Sequence, residues 1–271
     1  METKAEGNLI IIGGAEDKEK DKEILKFICS KFNKEKGLFL IATIATELPK
    51  EVGESYRKIF SELGVKNIKI LDVLNRDEGS LEENIKMVKE ASIIFFTGGD
   101  QLRITSILGG TPLGEEIINV CEKGCYFVGT SAGASVMSDT MIVNGPDDES
   151  PRKCTLKMAP GLGMIKNVII DQHFSQRGRI GRLLAGIAQN PQVLGIGIDE
   201  DTAIVVNKQG FVQVIGNGAV YILDGTCINY TNVSEQYQEN ILSIHNVKLH
   251  VLTNGDKFDL LKKRPFKEER L

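Results

Sequence analysis

The chain lacks the features that mark several large classes of protein. None of its apolar runs approaches the length that a membrane span needs. Residues 1–6 carry acidic side chains and lead into only four consecutive apolar residues, so they do not resemble a secretory signal peptide. The formal net charge of -4 lacks the basic surplus of a general nucleic-acid binder. We therefore expect no membrane partner and no nucleic-acid partner.

Cysteine is sparse and irregularly placed. The five cysteines are odd in number, and Cys121 and Cys125 have no second pair elsewhere in the chain, so neither a disulfide framework nor a zinc site is favoured. Gly13-Gly14-Ala15 lacks the G-x-G-x-x-G spacing of a dinucleotide site, and no Walker sequence is present. We expect reduced thiols in a cytoplasmic protein that uses no metal and no cofactor.

Compact apolar runs alternate with helical patterns along the first two thirds of the chain. The runs are 9–12, 38–41, 93–96, 126–128 and 168–170, with a weaker sixth at 68–71. The helical patterns are 17–34, 50–63, 80–90 and 113–123. Such alternation predicts an α/β fold, a three-layer domain in which a mainly parallel sheet has helices on both faces.

The last third of the chain has a different pattern. After residue 193, short β-rich runs separated by turns at 208–210 and 216–218 predict antiparallel hairpins. The region 144–163, rich in Gly and Pro, predicts a long loop. No linker or internal repeat is present, so we expect a single domain over residues 1–271, with a β-rich C-terminal portion.

Ser131 is the strongest candidate for a nucleophile. It lies in the segment 129–133, Gly-Thr-Ser-Ala-Gly, directly after the apolar run 126–128 and before residues suited to a helix. This placement predicts a nucleophile elbow, a tight turn that exposes the serine hydroxyl at the end of a sheet. The backbone N–H groups of Ala132 and Gly99 are the candidate donors to an oxyanion.

A serine nucleophile needs a general base, and only three histidines are available. His173 follows the run 168–170, so we expect it at the same sheet edge as Ser131. His250 alternates with Lys248 against apolar neighbours, which predicts a solvent-facing strand position, and His245 lies in the same late region. His173 is therefore the candidate base, the alternative being a helix-capping or buried structural histidine.

The acid that orients the base is left open by the sequence. Asp199, Glu200 and Asp201 stand together after a predicted strand, and strand alternation sends neighbouring side chains to opposite sides. Their alternative interpretation is a charged turn. The order serine, histidine, acid differs from the serine, acid, histidine order of the α/β-hydrolases.

Three arginines follow the candidate base. Arg177, Arg179 and Arg182 carry guanidinium groups, which bind carboxylates bidentately. On a regular helix their spacing would spread them around the axis, and their alternative interpretation is a solvated helix start. The acidic segment 147–149 is predicted to be a solvated loop.

Together these segments resemble the cyanophycinases, serine peptidases related to aspartyl dipeptidase E within the class I glutamine amidotransferase-like (flavodoxin-like) fold. The resemblance covers nearly the whole chain. It rests on Ile12-Gly13-Gly14-Ala15-Glu16, Phe96-Thr97-Gly98-Gly99-Asp100-Gln101, Gly129-Thr130-Ser131-Ala132-Gly133-Ala134, Asp171-Gln172-His173-Phe174 with the arginines after it, and Gly197-Ile198-Asp199-Glu200-Asp201-Thr202-Ala203.

The resemblance implies hydrolysis of cyanophycin, a poly-aspartate backbone with arginine on each β-carboxyl, to β-Asp-Arg dipeptides released from chain ends. It implies Ser131 as nucleophile, His173 as base and Glu200 as the orienting acid. It also implies a homodimer and a set of substrate-binding residues, namely Gln101, Asp171, Gln172, Arg177, Arg179 and Arg182. The alternatives are an α-aspartyl dipeptidase of the same fold and a non-catalytic ligand-binding homologue.

Overall fold

The computed structural model describes residues 5–32, 37–153, 155–234 and 240–267. Its strands are β1 Asn8–Ile12, β2 Leu38–Ala42, β3 Ile68–Leu71, β4 Ala91–Phe96, β5 Tyr126–Thr130, β6 Thr140–Asn144, β7 Lys157–Pro160, β8 Val168–Gln172, β9 Leu194–Ile198, β10 Thr202–Val206, β11 Phe211–Gly216, β12 Val220–Asp224, β13 Tyr230–Thr231, β14 Ile244–His245, β15 Lys248–Leu252, β16 Lys257–Asp259 and β17 Arg264–Phe266. Its α-helices are α1 Glu23–Ser30, α2 Pro49–Glu62, α3 Glu82–Glu90, α4 Gln101–Leu108, α5 Pro112–Glu122, α6 Ala132–Ser135 and α7 Ile180–Gln189, and Asp77–Ser80 forms a 3₁₀ turn.

A nine-stranded sheet runs through the centre, in the order β17-β16-β11-β10-β1-β5-β4-β2-β3. Strands β1 to β5 are parallel, and β10, β11, β16 and β17 extend the sheet in antiparallel pairs. Parallel strands are covered on both faces, which is why β1, β2 and β4 are nearly continuous apolar runs. The predicted α/β fold with a parallel sheet is confirmed.

Helices cover both faces of this sheet. On one face, Ile24 of α1 and Phe60 of α2 pack with Ile10 and Phe39 of the sheet. On the other, α3 and α5 pack over a cluster that includes Phe96. The apolar faces of these helices therefore pack into two separate cores, one on each side of the sheet, and the domain has the predicted three layers.

The run 168–170 was expected in the main parallel sheet, and this expectation is wrong. It forms β8, which pairs in parallel with β9 in a separate four-stranded sheet of order β15-β12-β9-β8. Ile170 faces the core shared with the main sheet, whereas Ile169 packs under α7. Burial on both sides makes such a strand indistinguishable by composition from a strand of the main sheet.

The hairpin predictions are half right. The turn at 208–210 joins β10 and β11, which pair as an antiparallel hairpin. The turn at 216–218 joins β11 to β12, and these strands belong to different sheets. Here the chain crosses from the main sheet to the second one, so the turn marks a sheet change and not a hairpin.

Two other boundaries differ from the prediction. The helix expected over 17–34 begins only at Glu23, because the Asp17 carboxylate accepts the N–H groups of Glu19, Lys20 and Lys22 and holds a turn there. Residues 33 and 34 lie outside the described part of the chain. The loop expected over 144–163 contains β7, which pairs with β6. None of the helices in the described ranges has the length and apolar character that crossing a membrane requires.

Candidate active site

Ser131 occupies a strained turn between β5 and α6. Its backbone has φ 53° and ψ −109°, and its N–H donates to the Ile12 carbonyl at 3.1 Å. The flanking glycines allow this turn, since a Cβ on Gly129 would lie 2.2 Å from the Gly133 carbonyl oxygen and one on Gly133 would lie 2.6 Å from the Phe96 carbonyl oxygen. A strained residue costs about 1–3 kcal/mol and persists only where its surroundings hold it. The geometry is that of the predicted nucleophile elbow.

His173 lies next to this serine although it follows a strand of the second sheet. Its Nε2 is 3.0 Å from the Ser131 Oγ, and its Nδ1 is 2.7 Å from Oε1 of Glu200. The histidine backbone has φ 48°, and its N–H donates to the Gly13 carbonyl at 2.8 Å. A hydroxyl, an imidazole and a carboxylate are thus hydrogen-bonded in series, which is the arrangement that activates a serine.

The three neighbouring acids have three different environments. Asp199 accepts the N–H groups of Ser175 and Ala219, at 2.9 and 3.1 Å. Asp201 accepts the Asp17 N–H at 2.8 Å and the Asn217 amide at 2.7 Å. These two carboxylates therefore fix loops. Of the three acids, Glu200 is the one that contacts the histidine, and the structure places it where the sequence left the choice open.

His250 does not face solvent, so that expectation is wrong. Its ring packs against Phe258 at 5.4 Å between centroids, while Leu249 and Val251 are about half exposed. Burial lowers the pKa of His250, with a further contribution from Lys248, and its Nε2 has no hydrogen-bond partner within the described ranges. In this edge strand Leu249 and Val251 lie on the exposed face, and His250 shares the other face with the buried Leu252.

The candidate oxyanion donors flank the serine. Ala132 opens α6, so its N–H has no acceptor within its own helix. Gly99 has φ +146°, and a Cβ there would lie 2.1 Å from the Ala45 carbonyl oxygen. A Cβ on the preceding Gly98 would lie 3.9 Å from the Ser131 Oγ, which puts this turn beside the nucleophile. The role of Ala132 and Gly99 as oxyanion donors stays a prediction.

A buried cluster of opposite charges includes Asp171, two residues before the histidine. Arg179 and Arg182 are 5% and 8% exposed, and both contact the Asp171 carboxylate, which is 1% exposed. The Arg182 Nε donates to Asp171 at 2.7 Å. Burial raises the pKa of Asp171 despite the opposing effect of the two arginines, and burial lowers the pKa of Arg179. Arg179 precedes α7 and Arg182 lies in its first turn, and this spacing of three residues places both side chains on the same side of the helix start.

Asp147 completes this cluster, a role that the sequence around it did not indicate. Its Oδ1 accepts from Arg179 Nε at 2.9 Å and from Arg182 Nη1 at 3.1 Å, and its side chain is 40% exposed. The segment 147–149 is an exposed loop, as predicted, but the carboxylate of Asp147 is bonded to two arginines, which the prediction did not include. A carboxylate many positions away in sequence carries no local signal that it will meet two arginines.

Of the remaining predicted substrate residues, Gln101 and Gln172 are hydrogen-bonded within the protein, whereas Arg177 is exposed. The Gln101 amide donates to the carbonyls of Ile142 and Val143, both at 3.1 Å. Gln172 donates to the Ser135 hydroxyl at 3.1 Å and accepts from Arg179. Arg177 is exposed and stands apart from the buried cluster. Five of the six predicted residues thus have side-chain hydrogen bonds within the protein, and the role of all six toward a substrate stays a prediction.

Glu16 is a second residue near the serine whose role the sequence did not indicate. It is a buried carboxylate that accepts the Thr130 hydroxyl at 2.6 Å, directly before the serine. Within the described ranges no group of His, Cys, Asp and Glu side chains is arranged to hold a metal ion.

Comparisons with known proteins agree with this chemistry. The family model of peptidase family S51 matches residues 9–214. The chain is 43% identical to the cyanophycinase of Geminocystis herdmanii over 93% of both chains. It is 40% identical to the cyanophycinase of Trichormus variabilis, over 93% of this chain and 85% of the relative. The crystal structure of a peptidase from an acI-B1 Actinobacterium superposes with a TM-score of 0.67 and 25% identity, covering 95% of this chain and 98% of that one. The chain therefore belongs to peptidase family S51 and is a serine peptidase.

Proposed function

We propose that this chain is a cyanophycinase, which hydrolyses cyanophycin to β-Asp-Arg dipeptides through an acyl-enzyme. The observation that carries the proposal is the hydrogen-bonded series Ser131–His173–Glu200 in a chain that matches cyanophycinases over 93% of its length. The intact series argues against a non-catalytic homologue, because such a protein has no need of a histidine held between a serine and a carboxylate.

The geometry supports one sequence of steps. Ser131 Oγ attacks the scissile carbonyl while His173 Nε2 takes the hydroxyl proton, and Glu200 stabilises the imidazolium that forms. The N–H groups of Ala132 and Gly99 bind the oxyanion. The intermediate collapses when His173 passes the proton to the leaving amine, which leaves an ester on Ser131. Water then attacks that ester with His173 as base, releasing the acid and restoring the serine.

The charges near the series fit a zwitterionic substrate. Each cyanophycin unit carries the carboxylate and the guanidinium of an arginine. The cluster of Arg179, Arg182, Asp171 and Asp147 offers groups of both signs close to His173. Such a substrate is bulky at every residue of its backbone, so an ordinary protease cleft would exclude it. We propose that the arginines receive substrate carboxylates, including the C-terminal one that defines an exopeptidase.

The wider setting is proposed from the same resemblance. We place the protein in the cytoplasm, in keeping with Cys121, Cys125 and Cys227 as thiols outside any disulfide, and we propose a homodimer. The single-domain organisation over residues 1–271 stays a prediction.

Incubation of the purified chain with intact cyanophycin, followed by mass spectrometry of early products, tests the proposal. We expect β-Asp-Arg from the first turnovers. The Ser131→Ala variant should fold normally and lose about 10⁴–10⁶ of turnover, as loss of a serine nucleophile does. Early mid-length fragments would exclude terminal cleavage, and a variant with a tenth of the normal rate would exclude serine catalysis. Turnover of Asp-X dipeptides in place of cyanophycin would favour an α-aspartyl dipeptidase.

A further inference from the structure

The turn that follows β1 is hydrogen-bonded to all three segments that carry the proposed triad. Three consecutive carbonyls each accept one backbone N–H: Ile12 from Ser131 at 3.1 Å, Gly13 from His173 at 2.8 Å, and Gly14 from Asp201, the neighbour of Glu200, at 2.9 Å. Gly14 has no room for a side chain, because a Cβ there would lie 2.3 Å from the histidine ring. This turn therefore fixes the ends of two different sheets relative to each other.

Glu16 connects the same turn to the nucleophile through its side chain. Its carboxylate is 3% exposed, with Oε2 accepting the Thr130 hydroxyl at 2.6 Å and Oε1 accepting the Tyr56 hydroxyl. The Lys18 ammonium lies 3.5 Å from Oε1 and supplies the balancing charge. Burial and the charge of Glu16 raise the pKa of Tyr56 well above its usual range, so the phenol remains a donor. A buried carboxylate is tolerated only with partners of this kind.

We propose that Glu16 is a positioning residue, which keeps Ser131 in its reactive conformation by anchoring Thr130. Thr130 is joined by its peptide bond to a residue held at φ 53°. Without an anchor, relaxation of that dihedral would rotate the Ser131 Oγ away from His173 Nε2. The Ile12 carbonyl fixes Ser131 by accepting its backbone N–H, and Glu16 fixes the preceding residue, Thr130, by accepting its hydroxyl. The proposal rests on Ser131 being the nucleophile, as in the proposed function.

Thr130→Val is the sharpest test, because it removes the hydroxyl and keeps the shape of the side chain. We expect kcat on cyanophycin to fall roughly 10- to 100-fold, the effect of losing a hydrogen bond to a charged group. KM should change by less than about threefold, since the lost interaction does not touch substrate. Thr130→Ser, which keeps the hydroxyl, should restore kcat to within about threefold of the native value.

Thr111→Val is the matched control for simple loss of stability. Thr111 is also buried, and its hydroxyl donates to the Leu108 carbonyl and accepts the Gly114 N–H at the start of α5. Both valine variants should lower Tm, but only Thr130→Val should lower kcat at a temperature where every variant is folded. Equal kcat losses in the two variants would overturn the proposal, as would a normal kcat in Thr130→Val.

A fluorophosphonate that labels activated serines separates this proposal from the proposed function. Ser131→Ala should not be labelled, and Thr130→Val should be labelled roughly 10- to 100-fold more slowly than the native chain, in line with its kcat. Labelling and hydrolysis retained in Ser131→Ala would defeat the proposed function. If Ser131→Ala showed neither labelling nor hydrolysis but Thr130→Val was labelled at the native rate, the positioning role of Glu16 would be wrong and the proposed function would stand. The double variant Glu16→Gln/Thr130→Val should lower kcat no more than the more damaging of the two single variants. Additive losses of kcat would mean that the two residues act separately.

Discussion

Replacing Glu200 by glutamine measures how much of the turnover depends on a charge beside His173. The substitution keeps the size of the side chain and an oxygen that can accept the Nδ1–H, but it removes the negative charge 2.7 Å from that nitrogen. What is lost is the stabilisation of the imidazolium that forms when Ser131 gives up its proton. The acyl-enzyme cannot form without that proton transfer, so kcat carries the effect.

The magnitude follows from the exposure of the carboxylate. Unit charges about 4 Å apart attract by about 1 kcal/mol in water and about 4 kcal/mol at the effective dielectric constant near a protein surface. The Glu200 side chain is 36% exposed, so partial screening applies and about 2–4 kcal/mol is the reasonable range. That range corresponds to a fall in kcat of about 30- to 1,000-fold. Loss of the correct tautomer would add to it.

The assay is steady-state hydrolysis of cyanophycin, with Asp201→Asn as the control. Asp201 directly follows Glu200 in the sequence, but its carboxylate accepts hydrogen bonds from the Asp17 N–H and the Asn217 amide and does not contact the histidine. We expect Asp201→Asn to lower Tm and to leave kcat within about threefold. A Glu200→Gln variant that kept a third of the native kcat would refute the assignment. So would a larger fall of kcat in Asp201→Asn than in Glu200→Gln.

Two further variants test other parts of the molecule. Arg179→Lys keeps the charge but loses the planar fork that reaches Asp147, Asp171 and Gln172, so KM for cyanophycin should rise roughly 10-fold, and an unchanged KM would contradict a role in binding. His250→Phe should remove an acid-sensitive element of stability: the pKa of His250 is lowered in the folded state, so its contribution is present above the ordinary pKa of 6.5 and is lost as the pH falls through the lowered value. The native chain should therefore lose more Tm than the variant between pH 7.5 and pH 5, and equal pH slopes would contradict the assignment.

The parallel half of the fold could be predicted from the sequence because its signal is local. Strands buried on both faces are short apolar runs, and the amphipathic segments between them are helices, so β1, β2, β4 and β5 were all anticipated. The tight turn at Ser131 could be predicted for the same reason, since a strand, a glycine turn and a helix start are contiguous. Features that depend on contiguous residues are therefore the ones that the sequence predicts correctly.

The sequence did not predict which strands and side chains contact each other across the fold. The run of β8 has the composition of a main-sheet strand, yet it pairs with β9 in a second sheet. Asp147 meets two arginines that lie more than thirty residues away along the chain. His250 faces inward on an edge strand whose alternation fits either face. In each case the deciding interaction is tertiary, and composition around the residue is the same for both outcomes.

Under the proposed function, the charges of the buried cluster limit which substrates the protein can bind without cost. Arg179 and Arg182 are balanced by Asp171 and Asp147, so the cluster is close to neutral before any ligand arrives. A substrate that brought only a carboxylate would leave the buried cluster with an uncompensated negative charge, which is expensive in a site screened from water. A cyanophycin unit brings a guanidinium together with its carboxylate. It can exchange partners within the cluster and keep the total charge unchanged, which is a physical reason for a preference for β-Asp-Arg units over singly charged peptides.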